Sequence, residues 1–156
     1  GESVSRAVRR APGFTLAELV MVVALIAVLS AIALPVAKFT VKRHKEAELR
    51  LALRQIRTAI DEYKRLSDQG LIPVKIGGEG YPESLEELVE GVEIVGQETE
   101  RRFLRRIPVD PMTKEDWVLR SYQDDPDATS WGGENVYDVR TSSEGVALDG
   151  TKYADW

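Results

Sequence analysis

Read from its amino end, the chain changes its hydrophobic pattern three times. Residues 19–37 run for 19 positions without a charged side chain. A helix needs about 20 residues to cross an apolar layer of ~30 Å, and Phe14 to Ala17 extend the run into that range. Beyond Lys38 the pattern becomes amphipathic, with Leu49, Leu53, Ile56, Ile60, Tyr63 and Leu66 recurring three or four residues apart and Ala52 and Ala59 on the same stripe. The opposite face carries Arg50, Arg54, Arg57, Asp61 and Lys64, and Glu46–Arg50 and Asp61–Arg65 are spaced to pair along the helix. The pattern thus predicts one helix over residues 14–66, ~80 Å long at 1.5 Å per residue. Pro35, which lacks an amide donor and crowds the preceding turn, is the expected site of a kink.

After residue 66 the stripe is lost. Gly70, Pro73, Gly77, Gly78, Gly80 and Pro82 predict a loop. Residues 84–89 then read as a short helix ending near Gly91, and residues 92–95 as an extended segment. Residues 101–106 form a basic cluster around Phe103 and Leu104, read either as a surface turn with its apolar residues tucked inward or as an electrostatic contact with neighbouring acidic surfaces. Residues 117–122 and 135–140 are the better strand candidates, predicting a small antiparallel sheet laid over the apolar stripe of the helix. The fold class expected is α+β, with segments at 1–13, 14–37, 38–66 and 67–156.

Charge sharpens this division. The net charge of −5 comes from unequal parts: residues 67–156 hold nine basic and twenty acidic side chains, whereas residues 38–66 hold nine basic and four acidic ones. An acidic distal domain is not built to bind nucleic acid. With no cysteine, disulfides and thiolate chemistry are excluded. His44, the only histidine, lies among basic residues, and no phosphate loop, histidine–carboxylate metal motif or serine elbow appears, so no enzyme is expected.

Residues 1–13, with Arg6, Arg9 and Arg10, form a basic leader before the apolar tract. A secretory signal peptide would place its small-residue cleavage site after the tract, but Pro12-Gly13-Phe14 lies before it. Cleavage after Gly13 would leave the apolar segment on the mature chain. Arginines on the leader side predict a cytoplasmic amino end and a translocated remainder. Glu18 is a carboxylate within the apolar helix, which is costly without a partner or a task. The simplest partner is a positive charge at the start of a neighbouring copy, such as a new amine on Phe14.

Gly13-Phe14-Thr15-Leu16-Ala17-Glu18-Leu19-Val20 resembles the processing motif of type IV prepilins and type II secretion pseudopilins, with Ala17 where isoleucine is common. The resemblance implies a pilin-like fold and a membrane prepilin peptidase that cuts after Gly13 and methylates Phe14. It also implies that Glu18 serves subunit incorporation. Tyr81-Pro82, Pro108-Val109-Asp110-Pro111, residues 135–139 and Ser143-Glu144-Gly145 resemble the major pseudopilin of type II secretion, pseudopilin G. That likeness implies a homopolymer anchored in the inner membrane with its distal domain in the periplasm. Its implied partners are an assembly platform, minor pseudopilins and a separate ATPase. Two alternatives stay open: a type IV pilin for adhesion, motility or DNA uptake, and a membrane-tethered minor subunit or binding module. In the pseudopilin family a distal loop binds calcium. Asp124, Asp125, Asp127, Glu144, Asp149 and Asp155 are the candidate oxygen ligands here, beside the simpler reading of solvated loop acids.

Overall fold

The computed structural model describes residues 11–156. Most of the basic leader, with Arg6, Arg9 and Arg10, lies outside the described residues. The chain divides into two units, Gly1–Thr40 and Val41–Trp156. The elements run α1 (Leu16–Asp68), α2 (Leu85–Glu90), β1 (Val92–Glu93), β2 (Glu100–Arg101), β3 (Val118–Arg120), β4 (Asp138–Arg140) and a 3₁₀ turn at Tyr153–Asp155. This is the expected α+β, pilin-like architecture.

Helix α1 contributes to both units. In the first, it starts two residues later than the hydrophobic pattern predicts and continues through Pro35. A turn beyond the proline, the Thr40 hydroxyl donates back to the Val36 carbonyl at 3.0 Å, an i−4 bond of a kind that tends to bend helices. All of residues 11–40 are exposed.

In the second unit, the amphipathic stripe is the core. Leu49, Leu53, Ile56, Ile60, Tyr63 and Leu66 are buried, and they pack with Ile72, Leu85, Leu88, Ile94, Trp117, Val136 and Val139. Burying each large aliphatic side chain contributes ~1.5–3 kcal/mol, which is what holds this small domain to its helix. Helix α2 begins at Ser84, whose hydroxyl accepts the Glu87 amide, and Gly91 ends it at φ 100°, a backbone conformation that favours glycine.

Two antiparallel pairs complete the unit: β1 with β2, and β3 with β4 in the register Val118–Arg140, Leu119–Val139 and Arg120–Asp138. The second pair is narrower than the periodicity predicts. The flanking backbone is satisfied by other partners: the Tyr122 amide donates to the Asn135 side chain at 2.9 Å, and the Val136 amide to the Pro82 carbonyl at 2.7 Å. Arg57 ties α1 to these elements, donating to the Asp138 carboxylate at 2.8 Å and to the carbonyls of Val139 and Trp156. Tyr81, Tyr122 and Tyr137 form an aromatic triad with centroids 5.2–5.7 Å apart, and the Lys64 ammonium lies 4.9 Å from the Tyr81 ring.

The two helical pairs expected on α1 are not made. Glu46 instead accepts the Leu148 amide at 2.9 Å and the Tyr153 hydroxyl at 2.7 Å. Arg50 faces Asp149 at 3.6 Å and lies 4.1 Å from the Trp156 ring centroid. Arg65 pairs with Glu62 at 2.6 Å rather than with Asp61. Glu46 and Arg50 thus turn to tertiary partners, while Arg65 takes its neighbour one turn back on the same helix; a single helical pair adds only ~0.2–0.5 kcal/mol, so either choice costs little.

Candidate processing and assembly site

Residues 11–15 precede α1 without helical structure, and all are exposed, so the Gly13–Phe14 peptide bond lies in open chain. Phe14 is 88% exposed. A Cβ added at Gly13 would meet nothing within 4 Å, so the glycine is not required there by crowding within this chain.

Helix α1 then starts with a reciprocal cap. The Thr15 amide donates to Glu18 Oε2 at 3.0 Å, and the Glu18 amide donates to Thr15 Oγ1 at 3.2 Å. This is a capping box, in which a threonine and a glutamate three residues on satisfy each other's orphan amides. The sequence reading assigns Glu18 to assembly and overlooks Thr15. The spacing Thr15-Leu16-Ala17-Glu18 before an apolar run is the signal that could have found it.

Beyond the cap, the most apolar 18-residue window of α1 has a mean hydropathy of 2.9 and is 0% buried. Its apolar side chains include Leu19, Val22, Leu25, Ile26, Leu29 and Ile32, each about half exposed or more. A continuous apolar surface of this kind is unfavourable in water at ~25 cal/mol per Å², so lipid or other apolar helices are its natural surroundings.

The calcium candidates do not converge. Ca²⁺ takes about six to eight oxygen ligands, and among the described residues no three Asp, Glu or His side chains come together in a metal-sized group. Asp124 instead accepts the amides of Ser121 at 2.8 Å and Gly132 at 3.0 Å. Asp149 accepts the Thr151 amide and hydroxyl at 2.9 and 2.6 Å. Asp125, Asp127 and Glu144 are exposed, and Asp155 lies in the 3₁₀ turn. Asp124 and Asp149 hold their own loops.

Those loop bonds carry a pH dependence. Hydrogen bonds from the Gly132 and Ser121 amides hold the Asp124 carboxyl below its ordinary value, and bonds from Thr151 do the same for Asp149. A depressed carboxylate contributes stability that is present above its unfolded-state value and lost as pH falls through its folded-state value. The thermal stability of the distal unit should therefore drop as the pH falls through and below the ordinary aspartate value of about 3.9. In a D124N/D149N chain, melts across that range should show a shallower decline; an unchanged slope would assign the acid sensitivity to other groups.

Residues 8–34 match the family model of the prokaryotic N-terminal methylation motif, a match that takes in Gly13, Phe14, the capping box and the start of the apolar helix. No curated protein and no solved structure matches the chain. A motif of this kind, leading into an unburied apolar stretch of α1, supports a structural subunit processed by a prepilin peptidase and polymerised in the manner of pilins. The chain thus carries, around Gly13, Phe14 and Glu18, the N-terminal methylation motif that supports a type IV pilin-like or pseudopilin family.

Proposed function

We propose that the chain is a structural subunit of a type II secretion pseudopilus, polymerising through α1 to drive protein export across the outer membrane. The observation that carries this reading is the methylation motif running into an apolar stretch of α1 that this chain leaves unburied. A prepilin peptidase cuts the exposed Gly13–Phe14 bond and methylates the new Phe14 amine. The apolar part of α1 rests in the inner membrane with its amino end cytoplasmic and the distal unit periplasmic, the orientation favoured by a basic leader. On assembly, the helix leaves lipid and is buried again among its copies, so its transfer involves little net exposure of apolar surface to water. Glu18 meets the Phe14 amine of a neighbour, and an inner-membrane platform, minor pseudopilins and a cytoplasmic ATPase supply initiation and energy.

The test is expression of the full chain with a prepilin peptidase, followed by mass spectrometry of the amino end and electron microscopy of the sheared fraction. The expected product starts at methylated Phe14 and forms filaments whose short length and dependence on secretion machinery separate a pseudopilus from a pilus. An uncleaved chain, or a processed one that stays monomeric while folded, would overturn the proposal.

A further inference from the structure

Within the distal unit, α1 leaves one face uncovered. Leu51, Gln55 and Thr58, spaced four and three residues apart, are exposed there and, with the buried Ala52 and Ala59, form one wall of a groove of about 960 Å³. The facing wall comes from residues 101–109, including Phe103, Ile107 and Val109. Its apolar lining is open: Leu51 is 55% and Val109 63% exposed.

The groove is also basic on balance, with six cationic side chains against the carboxylates of Glu48 and Glu62. Of the nine Lys and Arg side chains in residues 67–156, five line it (Arg101, Arg102, Arg105, Arg106 and Lys114), and Arg54 joins them from α1. Arg101 is paired with Glu62 at 2.9 Å, and Arg102 donates to the Glu90 carbonyl at 3.3 Å. Arg54, Arg105, Arg106 and Lys114 are exposed and make no ion pair among the described residues. A concentrated positive strip on a domain with twenty acids is a patch awaiting an acidic counterpart.

The same domain supplies one. Asp125 and Asp127 are exposed, flank Pro126, and enter no ion pair among the described residues. Their turn is pre-organised: Asp124 accepts two backbone amides at its base, and the Ala128 amide donates to the Asp125 carbonyl at 2.9 Å. A rigid turn docks with little loss of conformational entropy. The turn does not line the groove, so each copy carries both halves of the contact at separate places. Such a heterologous pair of complementary patches joins copies head to tail, and when the rotation does not close it generates an open filament.

We propose that the groove between α1 and residues 101–109 receives the Asp125–Pro126–Asp127 turn of a neighbouring copy, setting the register of distal units in the polymer. This rests on the polymerising reading above. The test measures filament yield from the full chain with prepilin peptidase. R105E/R106E and D125R/D127R should each lower the yield about tenfold or more, whereas the chain carrying all four changes should recover it. R105K/R106K should remain close to wild type, and matched thermal melts establish that the reversed chains fold. Undiminished filaments from R105E/R106E, or no recovery in the fourfold variant, would overturn the docking proposal alone and give the groove to another acidic partner or to anionic lipid. A wild-type chain without filaments would overturn the subunit reading and this contact together.

Discussion

Chains bearing E18A or E18Q should yield essentially no sheared filaments while their distal units melt as in the wild type. The two substitutions separate the two tasks open to this carboxylate. In the isolated chain Glu18 caps α1, accepting the Thr15 amide at 3.0 Å. Glutamine keeps an acceptor at that position and still forms a capping box, whereas alanine leaves the exposed Thr15 amide to water. In a polymer, the charge itself matters. A Phe14 amine brought among apolar helices needs a counter-charge, and leaving one charge uncompensated there costs about 2.5–3.5 kcal/mol or more, a loss of roughly 100-fold in assembly. Glutamine therefore discriminates: filaments at near-wild-type yield from E18Q would show that Glu18 acts through its cap alone. Filament loss in both variants, with Phe14 still generated, would place the requirement on the charge.

The parts of this molecule that were legible in advance are those governed by a short period. The stripe from Leu49 to Leu66 has a 3.6-residue repeat, and every one of those residues is buried. Helix α2 was readable from Pro82, Ser84 and the apolar pair Leu85 and Leu88, all local signals. The strands were less so. β1 and β2 are two residues each, too short to carry an alternation, and Arg101 in β2 was read as part of a basic cluster. The polar core was hidden for a different reason. Asp110, Ser121, Asn135 and Thr141 are almost fully buried, yet Asp110 reads as part of a proline turn, and Ser121 and Asn135 as ends of strand candidates with no sign that their polar groups face inward. Their burial depends on partners distant in sequence: the Asn135 amide group donates to Gly77 and Gln123, 58 and 12 residues away. No local pattern announces such pairings. At the candidate site, the residues of the processing motif were legible because their spacing is itself the signal. The groove was not, because it needs Arg54 and Arg105 brought to the same opening by the fold.

D110A should be the most destabilising single substitution of a polar side chain in the distal unit, lowering its melting temperature by about 10–20 °C. Asp110 is fully buried, and its carboxylate accepts three bonds. The Met112 amide donates to Oδ1 at 2.8 Å, and the Thr113 hydroxyl to Oδ2 at 3.1 Å. The Thr141 hydroxyl, 31 residues further on and next to β4, also donates to Oδ2. The carboxylate thereby fastens the turn after Pro108 to the sheet, and the Trp117 indole supports the same turn by donating to the Pro108 carbonyl at 2.7 Å. Alanine would strand an amide and two hydroxyls, each costing about 1–3 kcal/mol if left unpaired. The hydroxyls lose only their donated bonds and can rotate toward other acceptors, since Thr113 Oγ1 still accepts from Ser142 and Thr141 Oγ1 from the Ser143 amide. A net loss near 3 kcal/mol follows from one amide left without an acceptor and two hydroxyls partly re-paired. D110N should fall between, because its amide keeps one acceptor but turns a donor toward two hydroxyls that must then rotate to accept. Thermal unfolding of the full chain in detergent, followed by circular dichroism, checks the order wild type, D110N, D110A. A D110A chain melting within a few degrees of wild type would mean that the stranded groups find new partners, and that the turn is held chiefly by Trp117 and its apolar neighbours.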